Sequence, residues 1–155
     1  KVKTPQEVNG GRAMKEQIKA LKEQIRTLAE KYGTPVFVPL EWESRRFKER
    51  LEQKGETEKA WKFAHFMKDK KTGEEEEVEP QFLPKSCVIL GKSAICIPDW
   101  LAEKNDLPYF RLVLLGSFGS TPEEIRESFE KEYELFAMFL STGEVPDGLQ
   151  IEPRS

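Results

Sequence analysis

Residues 58–77, EKAWKFAHFMKDKKTGEEEE, can be read in two ways, and the choice decides the architecture. Read as a helix, the stretch is capped by Thr57 and carries Ala60, Trp61, Phe63, Ala64, Phe66 and Met67 over 58–68. Read as a strand, it ends in the plausible hairpin turn DKKTGE, residues 69–74. The helix is the favoured reading.

Working outward, residues 44–54 also read as a helix, with Phe47 and Leu51 inward and Gly55 as its stop. PVFVPL (35–40) is a short strand bounded by prolines, suited to a sheet edge. Upstream of it, Met14, Ile18, Leu21, Ile25 and Leu28 step by four and three residues, an a/d heptad seam. This predicts an amphipathic helix over 12–32, stopped by Gly33. Residues 1–10 form a lead-in.

Downstream, EEEEVEP (74–80) reads as a solvated acidic loop and QFL (81–83) as a strand. SCVILGKSAICIP (86–98) is a hairpin on a Gly91-Lys92 turn, with Val88 opposite Ile95 and Cys87 opposite Cys96. Apolar residues on both of its faces demand burial on both sides. A short helix (98–104), a strand (109–115) and a loop, GSFGS (116–120), follow. Thr121, Pro122 and Glu124 then mark a helix start at N-cap, N1 and N3. That helix runs to 141 on a stripe of Ile125, Phe129, Tyr133, Phe136 and Leu140. The tail, 144–155, is irregular.

The expected fold class is therefore α+β. A small, mainly antiparallel sheet (35–39, 81–83, 86–90, 93–97, 109–115) is covered by helices 44–54, 58–68 and 122–141. An amphipathic docking helix (11–33) precedes one domain spanning 34–143. Ten Phe, three Trp and three Tyr in 155 residues favour a packed core over disorder. No apolar run approaches the roughly 20 residues of a membrane span, and no charged-then-apolar signal opens the chain. An intracellular, cytoplasmic protein without membrane contact is expected.

The net charge of −3 hides a split. Residues 1–71 hold 18 Lys and Arg against 11 Asp and Glu, and residues 72–155 hold 7 against 17. One half can meet a polyanion, or the two halves can attract each other within the fold. The first possibility singles out residues 43–71, where Arg45, Arg46, Lys48, Arg50, Lys54, Lys59 and Lys62 are candidates for phosphate contact. Trp61 or Phe63 could stack on bases. Against this stand Glu49 and Glu52, four residues beyond Arg45 and Lys48, as helical ion-pair partners.

Other chemistry is sparse. Cys87 and Cys96 could be bridged across a hairpin, but reduced burial as small hydrophobes is favoured. Zinc needs four ligands and the chain has one histidine, His65, set among aromatics. No phosphate-binding glycine loop and no serine elbow occur. No metal, cofactor or catalytic residue is assigned. Residues 89–107, ILGKSAICIPDWLAEKNDL, resemble the strand, Ile-Pro and short-helix segment of looped-hinge, AbrB-like DNA-binding domains. Asp99, Glu103 and Asp106 stand where that segment is usually more basic, and no functional residue follows from the resemblance. The expectation is a non-enzymatic subunit of a larger complex that contacts nucleic acid through its basic half. The alternatives are a purely protein-binding or self-associating subunit docking through Met14, Ile18, Leu21, Ile25 and Leu28, and an enzyme whose site is scattered in sequence.

Overall fold

The computed structural model describes residues 5–116 and 119–153, with side chains from residue 13. The first four residues of the expected lead-in, the middle of the 116–120 loop and the last two residues of the tail lie outside the described residues. The fold is α+β. In chain order it comprises α1 (Pro5–Lys31), β1 (Pro35–Pro39), β2 (Glu41–Glu43), β3 (Phe47–Glu56), β4 (Ala60–Asp69) and β5 (Glu75–Pro84). A 3-10 turn (Lys85–Cys87), β6 (Ile89–Leu90), β7 (Ala94–Pro98), α2 (Asp99–Lys104), β8 (Phe110–Leu114), α3 (Pro122–Thr142) and β9 (Leu149–Pro153) follow.

Two sheets form instead of one. The five-stranded sheet has the order β6-β7-β1-β8-β9, and the four-stranded sheet is the meander β2-β3-β4-β5. All pairings are antiparallel. Strand β7 is buried along its whole length and explains the layering. Ala94 and Cys96 face one way, into a core built with Leu21, Ile25 and Leu28 of α1 and Phe136, Ala137, Phe139 and Leu140 of α3. Ile95 and Ile97 face the other way, against Leu51, Phe63 and Leu83 of the meander and Leu101 and Ala102 of α2. The molecule is thus helices, sheet, sheet. Phe37 anchors the helix side, with edge-to-face contacts to Phe136 and Phe139 at 5.2 and 5.3 Å between centroids.

Both expected central helices are corrected to strands. Within 44–54, Phe47 and Leu51 share a strand face as readily as a helix face, because four is a multiple of two. Within 58–68, Trp61, Phe63, His65 and Met67 alternate with period two, and DKKTGE makes the turn into β5. The acidic 74–80 segment is no loop either, since most of it lies in β5. The lead-in is helical from Pro5, and the tail supplies β9 as the partner of β8.

The hairpin of residues 86–98 exists with a register shifted by two. Ile89 lies opposite Cys96 and Leu90 opposite Ile95. Cys87 sits instead in the 3-10 turn, and the two free, buried thiols belong to different cores. Burial raises the Cys96 thiol pKa well above its ordinary value. The connection at Gly91 docks on α3, where the Lys92 N–H donates to the Leu140 carbonyl at 2.9 Å. A Cβ on Gly91 would stand 2.4 Å from the Ala94 carbonyl oxygen and 2.7 Å from the Leu140 side chain.

Helix α3 begins as its sequence dictates. Thr121 accepts a hydrogen bond from the Glu124 N–H at 3.1 Å, Pro122 is the first helical residue, and Gly143 ends the helix at φ 80°. At the α1–α3 contact, Glu130 takes an ion pair from Lys22 at 3.0 Å and a paired contact from Arg26, whose Nε donates at 3.1 Å. These hydrogen bonds hold the Glu130 carboxyl below its ordinary value, and hydrogen bonds to Glu23 first and Glu130 second raise the Arg26 guanidinium.

Two stability measurements check this packing. Gly91→Ala is expected to lower the thermal midpoint by an amount corresponding to about 1–3 kcal/mol, because the added methyl meets backbone that cannot move aside. Gly55→Ala, whose Cβ meets only Lys62 at 3.8 Å, should cost less. Glu130→Gln should destabilise at neutral pH by less than about 1 kcal/mol, given that the carboxylate is exposed enough to be screened. A carboxylate with a depressed folded pKa stabilises above its unfolded value and stops doing so as pH falls through the folded one. The midpoints of parent and Glu130→Gln should therefore converge in acid; a gap that widens there would contradict the assignment.

Candidate functional site

The four-stranded sheet has an inner face, seated on the five-stranded sheet, and an outer face open to solvent. Strand alternation assigns the residues. Leu51, Phe63 and Leu83 point inward and are buried. Lys48, Arg50, Glu52, Lys62, Phe66, Lys68, Glu75, Glu77 and Phe82 share the other face by register. Lys54 joins them across a bulge between Gln53 and Gly55, its Nζ 4.8 Å from the Phe66 ring centroid.

Read across the strands, this face is ordered by charge. One row runs Glu43, Lys48, Lys68, Glu75. The next runs Glu41, Arg50, Phe66, Glu77. Further along, Gly55, Lys62 and Phe82 form a row whose β5 member is aromatic. The two central strands therefore carry the cations, with Glu52 of β3 among them, and the two edge strands carry carboxylates as their only charged groups. Lys48 opposite Lys68 is a like-charge pair, unfavourable alone, and the flanking Glu43 and Glu75 compensate it.

The ion pairs follow the rows. Arg50 is held between Glu52, at 2.9 Å, and Glu75, and its guanidinium carbon lies 4.2 Å over the Phe66 ring. These hydrogen bonds lower the Glu52 pKa and raise that of Arg50. Lys54 reaches Glu52 at 3.4 Å and Lys48 reaches Glu43 at 4.0 Å. Among the described residues, Lys62 and Lys68 are in no ion pair. A trough of about 440 Å³ crosses this face, lined by Glu41, Glu43, Lys48, Arg50, Lys68 and Glu75. Phe82 stands half exposed at 50%.

Of the seven basic residues singled out in the sequence, Lys48, Arg50, Lys54 and Lys62 converge on this face, on strands and not on the helices expected. Arg45 and Arg46 lie in the β2–β3 connection, where Arg46 pairs with Asp69 at 3.0 Å. The Asp69 carboxyl is held low mainly by backbone N–H bonds from Lys71 and Thr72. Lys59 lies in the β3–β4 connection, at the other end of the meander. The expected stacking residues do not reach the surface in that role. Phe63 is in the core, and Trp61 packs against it beneath Lys85, whose Nζ is 4.8 Å from the ring. Sequence reasoning missed Phe66, Phe82 and Lys68. Their signal was parity, since all three are even-numbered in β4 and β5 against the odd-numbered Trp61, Phe63 and Leu83.

The other candidate groups lie elsewhere. His65 is on the inner face, its Nε2 2.9 Å from Glu49, whose second oxygen accepts from the Trp42 indole N–H at 3.1 Å. Both carboxylate oxygens are thus occupied, and the trio reads as structural. Among the described residues no group of three or more His, Cys, Asp or Glu is arranged to hold a metal. The expected docking stripe divides. Leu21, Ile25 and Leu28 are buried within the chain, Ile18 is partly buried, and Met14 is 49% exposed. Among the described residues no helix is long and apolar enough to cross a membrane. No protein-family model, curated protein or solved structure matches the chain.

The two faces make opposite demands on substitution. Phe82→Ala should leave the thermal midpoint within about 0.5 kcal/mol of the parent, as for a surface residue. Its neighbour Leu83→Ala should cost about 2–5 kcal/mol. Equal losses in thermal melts would mean that the outer face is covered within the chain.

Proposed function

We propose that the chain is a non-enzymatic binding subunit and that it contacts nucleic acid through the outer face of the four-stranded sheet. The observation that supports this is the convergence of Lys48, Arg50, Lys54, Lys62 and Lys68 with Phe66 and Phe82 on one exposed surface. A sheet face of this kind offers cations for phosphates and rings for bases at the same time. Arg45, Arg46 and Lys59, at the two ends of the meander, extend the basic surface along its length. The ion pairs on the face are solvent-exposed and worth about 0–1 kcal/mol each, so a phosphate can displace the carboxylate. The Glu residues sharing the face make the attraction modest.

A second reading, docking of a protein partner through α1, is favoured by one observation. The apolar stripe continues to Met14, beyond the part of the helix that its own domain covers. Fluorescence anisotropy at low salt separates the two. A labelled oligonucleotide should bind at micromolar protein, with log K falling by about 0.7 to 0.9 per phosphate contact for each decade of salt. Lys62→Glu with Lys68→Glu should weaken binding and flatten that slope, while Arg126→Glu with Lys131→Glu, on α3, should not. Absence of binding, or binding that the sheet variant leaves untouched, would transfer the assignment to the helix.

A further inference from the structure

Resting on that reading, we infer that the outer face is a single-lane site, which accepts one extended nucleic-acid strand and is closed to a duplex. The cations occupy only the two middle strands. Neighbouring strands lie about 4.8 Å apart, which places each acidic edge strand about 7 Å from the centre of the basic lane. Glu41 and Glu43 stand along one side and Glu75 and Glu77 along the other; Glu41, Glu43 and Glu75 are each register-matched to a cation and Glu77 to Phe66. A duplex carries two phosphate rows, separated by grooves about 6 and 12 Å wide. With one row over Lys48, Arg50 and Lys68, the second row falls on or beyond a carboxylate edge. Like-charge juxtaposition of this kind suppresses the wrong partner more than it weakens the right one.

A single strand avoids both edges and meets one carboxylate within the lane, Glu52, which Arg50 and Lys54 neutralise. Its one phosphate row follows the lane from Lys68 to Lys62, six residues of β4 or about 20 Å. At the Lys62 end the β5 member of the row is Phe82 in place of a glutamate, so the acidic border gives way to an exposed ring where the lane ends. A base turned out of the lane at that point finds a stacking surface instead of a negative charge.

The test compares a labelled oligothymidylate of about a dozen nucleotides with a duplex of the same length, by anisotropy at fixed salt. The parent should bind the single strand at least about tenfold more tightly. The rim variant Glu41→Gln with Glu43→Gln, Glu75→Gln and Glu77→Gln should gain more affinity for the duplex than for the single strand, narrowing the ratio. Should that variant not fold, as judged by circular dichroism, the pair Glu43→Gln with Glu75→Gln serves the same purpose. Phe82→Ala should weaken the single strand several-fold and leave the duplex unchanged. Equal affinity for the two probes in the parent, or a ratio unmoved by neutralising the rim, would overturn the single-lane inference and leave the binding function standing. Binding of neither probe would overturn the function itself.

Discussion

Burial of the β1–β7 strand pair on both faces is the constraint from which the other layers follow. Val36, Val38, Ile95 and Ile97 point to one side, Phe37, Ala94 and Cys96 to the other, and all are almost wholly removed from water. A two-sided apolar pair cannot remain a surface hairpin; each face requires its own cover. The helix side is covered by α1 and α3, whose aromatic and aliphatic side chains close around Phe37. The opposite side is covered by a second sheet, which needs only one apolar face and is left with a free one. The candidate binding surface exists because of that asymmetry: among the described residues, the meander presents a broad sheet face with no layer beyond it.

The uneven charge along the chain finds a physical role in the same arrangement. Among the described residues, ion pairs join its basic and acidic halves between α1 and α3 and within the meander. Between α1 and α3, Lys22 and Arg26 converge on Glu130. Within the meander, Arg50 of β3 pairs with Glu75 of the glutamate-rich β5 across β4, and Lys68 of β4 lies opposite Glu75. β5 is a long edge strand, and its run of charged side chains, with Pro80 and Pro84, makes it a poor template for another chain. The glutamates that read as a solvated loop are thus a strand, in which Glu75 lies opposite Lys68 and pairs with Arg50, and whose edge is protected by its own charged residues.

How much of this was legible depended on whether a local pattern had one period or two. The α3 start could be read because Thr121, Pro122 and Glu124 act through backbone geometry alone, independent of tertiary context. The β-propensity of residues 60–69 was present in the alternation of Trp61, Phe63, His65 and Met67. It competed with a helical arrangement of the same apolar residues, and only pairing with β3 and β5 decides between them. The hairpin shows the limit most sharply. A slip of two residues preserves which face each side chain takes, so two-sided burial was legible while the opposition of Val88 to Ile95 was not. Cys87 escaped even parity, because the 3-10 turn at Lys85–Cys87 rotates it into the other core. The site residues were half legible: the basic segment was visible, but the face it shares was fixed by pairing partners distant in sequence.

A surface that carries its own counter-ions is not thereby excluded from binding anions; its geometry changes what it can select. A uniformly basic patch attracts any polyanion and distinguishes little among them, since the attraction is long-range and indifferent to shape. In the proposed site on the meander, the edge carboxylates confine the attraction for a phosphate row to the two central strands. Attraction then depends on fitting the lane, and the field opposes any charge placed to either side. Such a surface gives up affinity, because Glu52 and Glu75 compete for Arg50. It gains discrimination by setting repulsive groups beside attractive ones, which is how specificity is generally built into charged interfaces.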